Sequence, residues 1–171
     1  MSNNYYKNNR TKLNISKSNL ERILGIISVL GVLISWIYLI VSWTGLPNKI
    51  PTHFDFSGRV DSWGGKGSLL IAPIFMSVLY IILTITSKFP ESFNYMVNIT
   101  EENARKQYQN ARTLMAWVRT EITVMFLYLE WQSIQAAINK STALGLWFLP
   151  VFLITVFGTL GVYIYKMFQL K

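Results

Sequence analysis

Four long stretches with almost no charged residues dominate this 171-residue sequence. Uncharged runs of 21, 19 and 23 residues begin at positions 23, 69 and 143, and a run of 17 that is interrupted only by Glu130 ends at position 138. A helix needs about 20 apolar residues to cross the hydrocarbon core of a bilayer. The stretches therefore predict an all-α membrane protein, a four-transmembrane-helix bundle with spans at 23–43, 69–87, 118–138 and 143–165.

The composition removes several classes of functional site. Charged residues make up 14% of the chain, whereas soluble domains carry about 25%. The chain has no cysteine and a single histidine, which excludes disulfides, thiolate metal sites and multi-histidine metal sites. It also lacks a glycine-rich phosphate loop, a zinc-protease helix and a serine-elbow motif. We therefore expect no enzyme activity, no catalytic residues, no bound metal and no cofactor.

The basic residues are distributed unequally between the predicted connecting segments. Twelve of the sixteen lie in positions 1–22, 88–119 and 166–171, and only four lie in the two other connections. The positive-inside rule then places both termini in the cytoplasm and the loop 44–68 outside. This asymmetry accounts for the net charge of +8 without a nucleic-acid partner; the expected surroundings are the lipid bilayer. Segment 1–22 is polar without periodicity and predicts a disordered cytoplasmic tail, and 166–171 is a second cytoplasmic tail.

The cytoplasmic connection contains a predicted helix at 101–117. Thr100 is a favourable N-cap, and two glutamates follow in the first turn, where the helix dipole stabilises acidic groups. Apolar residues recur at helical spacing from Ala104 to Val118, so we expect this helix to continue into the third span. The interpretation we favour packs this stripe on the bundle itself, and the alternative is docking of a cytoplasmic protein or of lipid headgroups.

The outer loop 44–68 is rich in residues that fix backbone shape. Pro47 and Pro51 restrict φ, Gly58 permits a positive φ, and Asp55 and Asp61 favour Asx turns. This composition predicts a structured extracytoplasmic loop between the first two helices and not a flexible linker.

The same loop carries a motif, L-P-x-x-I-P-x-H-F-x-x-x-G-x-x-D-x-(aromatic)-G-x-K, that starts at Leu46 and ends at Lys66. The motif resembles that of bacterial membrane proteins classed as domain of unknown function 1648, with eleven positions in agreement, and the likeness extends over about residues 20–137. The family is related to the N-terminal part of the Sdp-peptide immunity protein. The resemblance implies a multi-pass protein of the bacterial cell membrane with an immunity-like or envelope-sensing role.

The outer loop also supplies most of the ligand-binding candidates. His53, Asp55 and Asp61 together offer a site for a cation or a peptide amine. The alternative is that His53 hydrogen-bonds the loop backbone and that the aspartates only shape turns. Trp63 and Lys66 complete the candidates in this loop.

Glu130 is the one ionisable residue inside an uncharged run, and such residues are costly and usually functional. It shares a helix face with Thr123, Ser133 and Ala137 and lies about 12 Å from the outer end of its span at 1.5 Å per residue. Two interpretations remain open: a polar outward-facing cavity, or a neutral glutamate with one interhelical hydrogen bond. The first function hypothesis is an accessory protein that binds a peptide or small ligand at its outer face; the alternative is a small ion-coupled transporter using Glu130. Arg119 and Glu121 are expected to extend toward the inner boundary without a chemical role.

Overall fold

The computed structural model describes residues 10–139 and 144–171 and is mostly helical, as predicted. The first nine residues of the predicted tail, and residue 143 at the start of the fourth predicted span, lie outside the described residues. The regular elements are helices α1 to α4 and strands β1 and β2, with short 3-10 turns at Trp43–Gly45, Lys66–Leu70 and Pro90–Ser92. Their bounds are α1 Asn19–Ser42, β1 Lys49–Phe54, β2 Val60–Gly65, α2 Ile71–Thr86, α3 Glu101–Asn139 and α4 Phe148–Gln169.

Within residues 10–139 and 144–171, three regions are helical, long and apolar enough to cross a membrane: Asn19–Gly45, Lys66–Thr86 and Phe148–Gln169. The predicted third span is the second half of α3, which carries Arg119, Glu121 and Glu130. Helix α3 packs against all three other helices and against β1, and these three charged residues are buried in those contacts. Helix α3 can carry more polar and charged residues than its neighbours because these side chains face other parts of the protein.

Helices α1 and α3 begin at the same end of the bundle, and each starts with a side-chain cap. The Ser18 hydroxyl accepts from Glu21 N–H, and the Glu21 carboxylate accepts from Ser18 N–H, which makes a capping box. Helix α1 therefore begins at Asn19, inside the segment predicted to be tail. Thr100 and Asn103 exchange the equivalent bonds at the start of α3. From there α3 continues for 39 residues, through both the predicted cytoplasmic helix and the predicted third span.

The described part of the predicted disordered tail makes specific contacts. The Arg10 guanidinium donates to the carbonyl oxygens of Glu91 and Phe93 and lies 5.2 Å from the centre of the Tyr95 ring. Burial raises the pKa of the Tyr95 phenol, so this ring is neutral beneath the cation. A polar composition predicts a disordered tail. Composition carries no information about contacts with residues more than 80 positions away in the sequence, such as those that Arg10 makes.

Small residues let α1 and α3 approach closely. Ser28 and Ser35 are fully buried, and the Ser28 hydroxyl lies 2.9 Å from the Thr120 hydroxyl. At Gly31 an added Cβ would lie 2.5 Å from the Thr123 methyl group, so only glycine allows this spacing. Membrane helices commonly associate through such small and hydroxyl-bearing residues.

The predicted outer loop folds into an antiparallel hairpin, which is a small two-stranded sheet. The prediction of an all-α protein is therefore wrong for this loop. The strands pair from Lys49 with Gly65 to Phe54 with Val60, with irregular register on either side of His53. Prolines and glycines predict turns, but here they lie within short paired strands. We call the end of the bundle that carries this sheet the hairpin end and the opposite end the tail end. An apolar cluster anchors the hairpin to the helices: Leu39, Leu46, Ile50, Leu69 and Ile134.

Candidate functional site

A pocket of about 740 Å³ lies beneath the hairpin, and we call it the hairpin pocket. Its walls come from both sides of the hairpin turn, the first turn of α2, the second half of α3 and the first turns of α4. Apolar and aromatic side chains form most of the surface, including Phe126 and Leu129 of α3 and Phe148 and Phe152 of α4. An apolar concavity with a few polar groups is the usual form of a small-molecule or peptide site.

Glu130 lies in the wall of this pocket and is only 1% exposed. Its Oε2 accepts a hydrogen bond from the Ser35 hydroxyl of α1. Its Oε1 has no hydrogen-bond partner in the described part of the chain. Nearly all buried polar atoms are hydrogen-bonded, so this oxygen is an exception, and like the rest of the side chain it is almost completely closed to solvent. The bond from Ser35 is an interhelical hydrogen bond, as in the second interpretation, whereas the pocket beside Glu130 is lined mostly by apolar groups.

His53 and Asp61 form the polar mouth of the pocket. The His53 Nδ1 lies 2.6 Å from Asp61 Oδ1, and both side chains are substantially exposed. Because β1 and β2 run antiparallel, they bring these residues together across the sheet. His53 therefore bonds the Asp61 side chain across the two strands and not, as the alternative interpretation has it, the loop backbone. Among the described residues, no group of three histidine, aspartate or glutamate side chains is positioned to hold a metal ion.

Asp55 has a structural role that turn chemistry explains. Its carboxylate accepts from the N–H groups of Ser57 and Arg59, at 2.8 and 2.9 Å, and its side chain also lines the pocket. The Asp55 carbonyl accepts from Gly58 N–H, which closes the turn. Such side-chain bonds to nearby backbone are characteristic of Asx turns.

The remaining two loop candidates lie away from the pocket. Trp63 pairs with Pro51 in the hairpin and is half exposed, and the Lys66 ammonium lies 5.1 Å from the centre of the Trp43 ring. Neither lines the hairpin pocket. The structure thus brings together His53, Asp55, Asp61 and Glu130 and separates Trp63 and Lys66 from them.

A contact between the hairpin turn and the connection before α4 holds the pocket closed on one side. Leu144 N–H donates to the Gly58 carbonyl at 2.7 Å, and the Tyr128 hydroxyl donates to the Leu144 carbonyl at 3.0 Å. Gly58 and Gly145 both have positive φ, 74° and 84°. The sequence predicts Gly58 as a turn residue but does not predict this contact. Gly145, in the short connection before α4, is the sequence feature that could have indicated a second tight turn there.

Two charged residues behave differently from the prediction that they extend toward the boundary. Arg119 and Glu121 are each only 8% exposed. The Thr159 hydroxyl of α4 donates to Glu121 Oε1 at 2.5 Å, and Arg119 Nη1 donates to the Thr84 hydroxyl of α2 at 3.1 Å. Hydropathy along one helix shows that these residues are near a boundary, but it does not show which neighbouring helix covers them.

Comparison with known proteins shows which family one segment of this chain resembles. Residues 30–77 match the family model described as Domain of unknown function (DUF1648), and this confirms the family recognised from the loop motif. The matched segment covers the second half of α1, the hairpin and the beginning of α2, so it supplies the hairpin wall of the pocket but not Glu130.

A second comparison found a protein that matches part of this chain. An uncharacterized protein from Archaeoglobus fulgidus is 31% identical over 62 residues, which are 36% of this chain. The alignment spans 34% of that relative, so the chain matches only about a third of its length. No solved structure matches this chain. A segment of the chain thus resembles the DUF1648 family, and the apolar helices indicate a membrane protein.

Proposed function

We propose that this protein crosses the bacterial cell membrane four times, with both termini in the cytoplasm and the hairpin end outside. Within the described part of the chain, three helices meet the length and hydropathy required of a span, and α3 packs against all three. Charged residues within spans usually face the interior of the bundle, as Arg119, Glu121 and Glu130 do here. The excess of basic residues at the tail end supports the orientation.

Within this frame, the protein binds a peptide or a small ligand in the hairpin pocket, in an immunity-like or envelope-sensing role. The observation that carries the proposal is the apolar pocket itself, which lies beneath the hairpin and has His53, Asp55 and Asp61 among its lining residues. The apolar part of a ligand would contact the phenylalanines that line the pocket. The carboxylates of Asp55 and Asp61 at the mouth favour a cationic ligand over an anionic one. We expect no catalytic step and no cofactor.

The predicted helix 101–117 offers less surface to a cytoplasmic partner than its sequence indicates. Tyr108 and Gln107 are fully buried, and Gln107 donates to the carbonyls of Met167 and Leu170 at the end of α4. This packing supports the interpretation that the apolar stripe covers its own bundle. A cytoplasmic partner would therefore contact the exposed polar face, which includes Arg105 and Lys106.

The binding proposal is tested by site-specific photo-crosslinking in intact cells. The photoreactive p-benzoylphenylalanine replaces Phe148 in the pocket or, as the matched control, Phe157, which is 66% exposed on the same helix. We expect a defined adduct of a peptide or small molecule at Phe148 and none at Phe157. Phospholipid adducts alone at both positions would contradict the proposal.

The alternative, an ion-coupled transporter, is favoured by one observation. Polar contacts continue along the α1–α3 interface from Ser28 and Thr120 to Ser35 and Glu130. Glu130→Gln distinguishes the two functions, because glutamine retains a hydrogen-bond acceptor but cannot carry a proton or bind a cation by charge. Under the binding proposal the variant retains activity, scored as complementation of a deletion strain. Under the transporter alternative it loses activity while its abundance in the membrane stays normal.

A further inference from the structure

A second pocket, of about 780 Å³, lies at the tail end between the first turns of α1, the last turns of α2 and the middle of α3. We call it the tail-end pocket. Its polar rim is strongly basic and contains a single carboxylate, that of Glu21. The basic residues in its wall are Lys17, Arg22, Lys88, Arg112 and Arg119.

Arg119 is the buried member of this set. It is 8% exposed, its guanidinium carbon lies 5.5 Å from the centre of the Tyr80 ring, and its Nε has no hydrogen-bond partner among the described residues. Within that same part of the chain it forms no ion pair with a carboxylate. A buried guanidinium without a counter-ion is costly, so the wall of this pocket holds an unsatisfied positive charge.

The carboxylate in the pocket is already engaged. Glu21 lies 3.2 Å from Arg112 Nε and also accepts from Ser18 N–H in the capping box. Its ion pair is with Arg112; Arg119 also feels the charge of Glu21, but Arg119, Lys88 and Arg22 form no ion pair among the described side chains. The electrostatic balance of the pocket therefore favours an anion.

The wall that α1 contributes to the tail-end pocket is apolar. Ile26, Val29 and Leu30 of α1 line it, and all three are exposed on the outer surface of the bundle. A small soluble anion would use only the basic rim, whereas an amphiphile would use both the rim and this apolar wall. We propose that the tail-end pocket binds the phosphate headgroup of an anionic phospholipid, with Arg119 as the buried ligand and an acyl chain along α1. Basic pockets at the ends of membrane helices bind anionic headgroups, and arginine can hold a phosphate with two parallel hydrogen bonds.

The proposal is tested by native mass spectrometry and thermal unfolding of the full-length protein in detergent. The added probes are phosphatidylglycerol, phosphatidylcholine with the same acyl chains, and inorganic phosphate. We expect retention of phosphatidylglycerol and a higher melting temperature with it, and no comparable effect of the other two. Equal effects of the two lipids would overturn the proposal, and stabilisation by inorganic phosphate alone would identify a free-phosphate site instead.

Two variants assign the effect to the pocket. Arg119→Gln should weaken phosphatidylglycerol binding by about tenfold or more, since a charge-assisted hydrogen bond is lost. Its melting temperature without lipid is measured alongside, because the change removes a buried charge and also the hydrogen bond from Arg119 to Thr84. Lys88→Gln, at an exposed position of the rim, should weaken binding less, and Arg59→Gln in the hairpin is the charge-matched control. Unchanged lipid binding in both pocket variants, or equal weakening in Arg59→Gln, would overturn the assignment.

Discussion

The Gly58→Ala substitution tests whether the hairpin is held against the connection before α4. Gly58 has φ of 74°, and a Cβ there would lie 3.0 Å from Gly145 N and 3.2 Å from Leu144 N. The Gly58 carbonyl accepts the hydrogen bond from Leu144 N–H at 2.7 Å. The added methyl group therefore strains the backbone at the position where the hairpin contacts its neighbour.

Two costs contribute to the expected effect. An L-residue in the left-handed region costs about 1–2 kcal/mol, and an overpacked contact that involves backbone atoms costs about 1–3 kcal/mol. Even the lower total, about 2 kcal/mol, shifts the equilibrium between attached and detached hairpin about thirtyfold toward the detached form.

Hydrogen exchange of the peptide that contains the Leu144 amide measures this equilibrium. We expect Gly58→Ala to raise the exchange rate about thirtyfold or more. The matched control is Gly65→Ala, since Gly65 lies in the same hairpin with an ordinary φ and no atom within 4 Å of an added Cβ. Equal exchange in the two variants would refute the reasoning.

Two further predictions concern helix packing and topology. Gly31→Ala should lower the free energy of unfolding by about 1–3 kcal/mol relative to Gly161→Ala, because only the methyl group added at Gly31 meets a neighbouring helix. Thermal unfolding in detergent measures this difference, and equal stability of the two variants would contradict the close α1–α3 contact. The chain has no cysteine, so single cysteines report topology directly. Ser57→Cys should label with an impermeant thiol reagent on intact cells, and Gln109→Cys should label only after permeabilisation; labelling of Gln109→Cys from outside would refute the four-span topology.

The sequence is most informative where local physical chemistry decides the structure. Uncharged runs predict the helices because a span must be apolar over its whole length. Thr100 and Ser18 are recognisable caps because their bonds reach only three residues ahead. Asp55 is predictable as a turn residue for the same reason.

Contacts between distant segments account for what the sequence does not show. Periodicity places Glu130 on an inward face, but it does not identify Ser35, which lies 95 residues earlier, as its partner. The strand pairing that joins His53 to Asp61 depends on tertiary contacts, since prolines and glycines are unfavourable in strands by themselves. The tail-end pocket likewise combines three segments that are far apart in sequence, with Arg119 at the point where they meet.

The accessibility of the hairpin pocket from outside the cell tests the central claim most directly. Ser133 lines the pocket on α3, close to Glu130, whereas Ser28 is fully buried between α1 and α3. On intact cells, a small positively charged thiol reagent should label Ser133→Cys and leave Ser28→Cys unmodified. Labelling of Ser133→Cys only after permeabilisation, or its absence while Ser57→Cys is labelled, would contradict an outward-facing binding pocket.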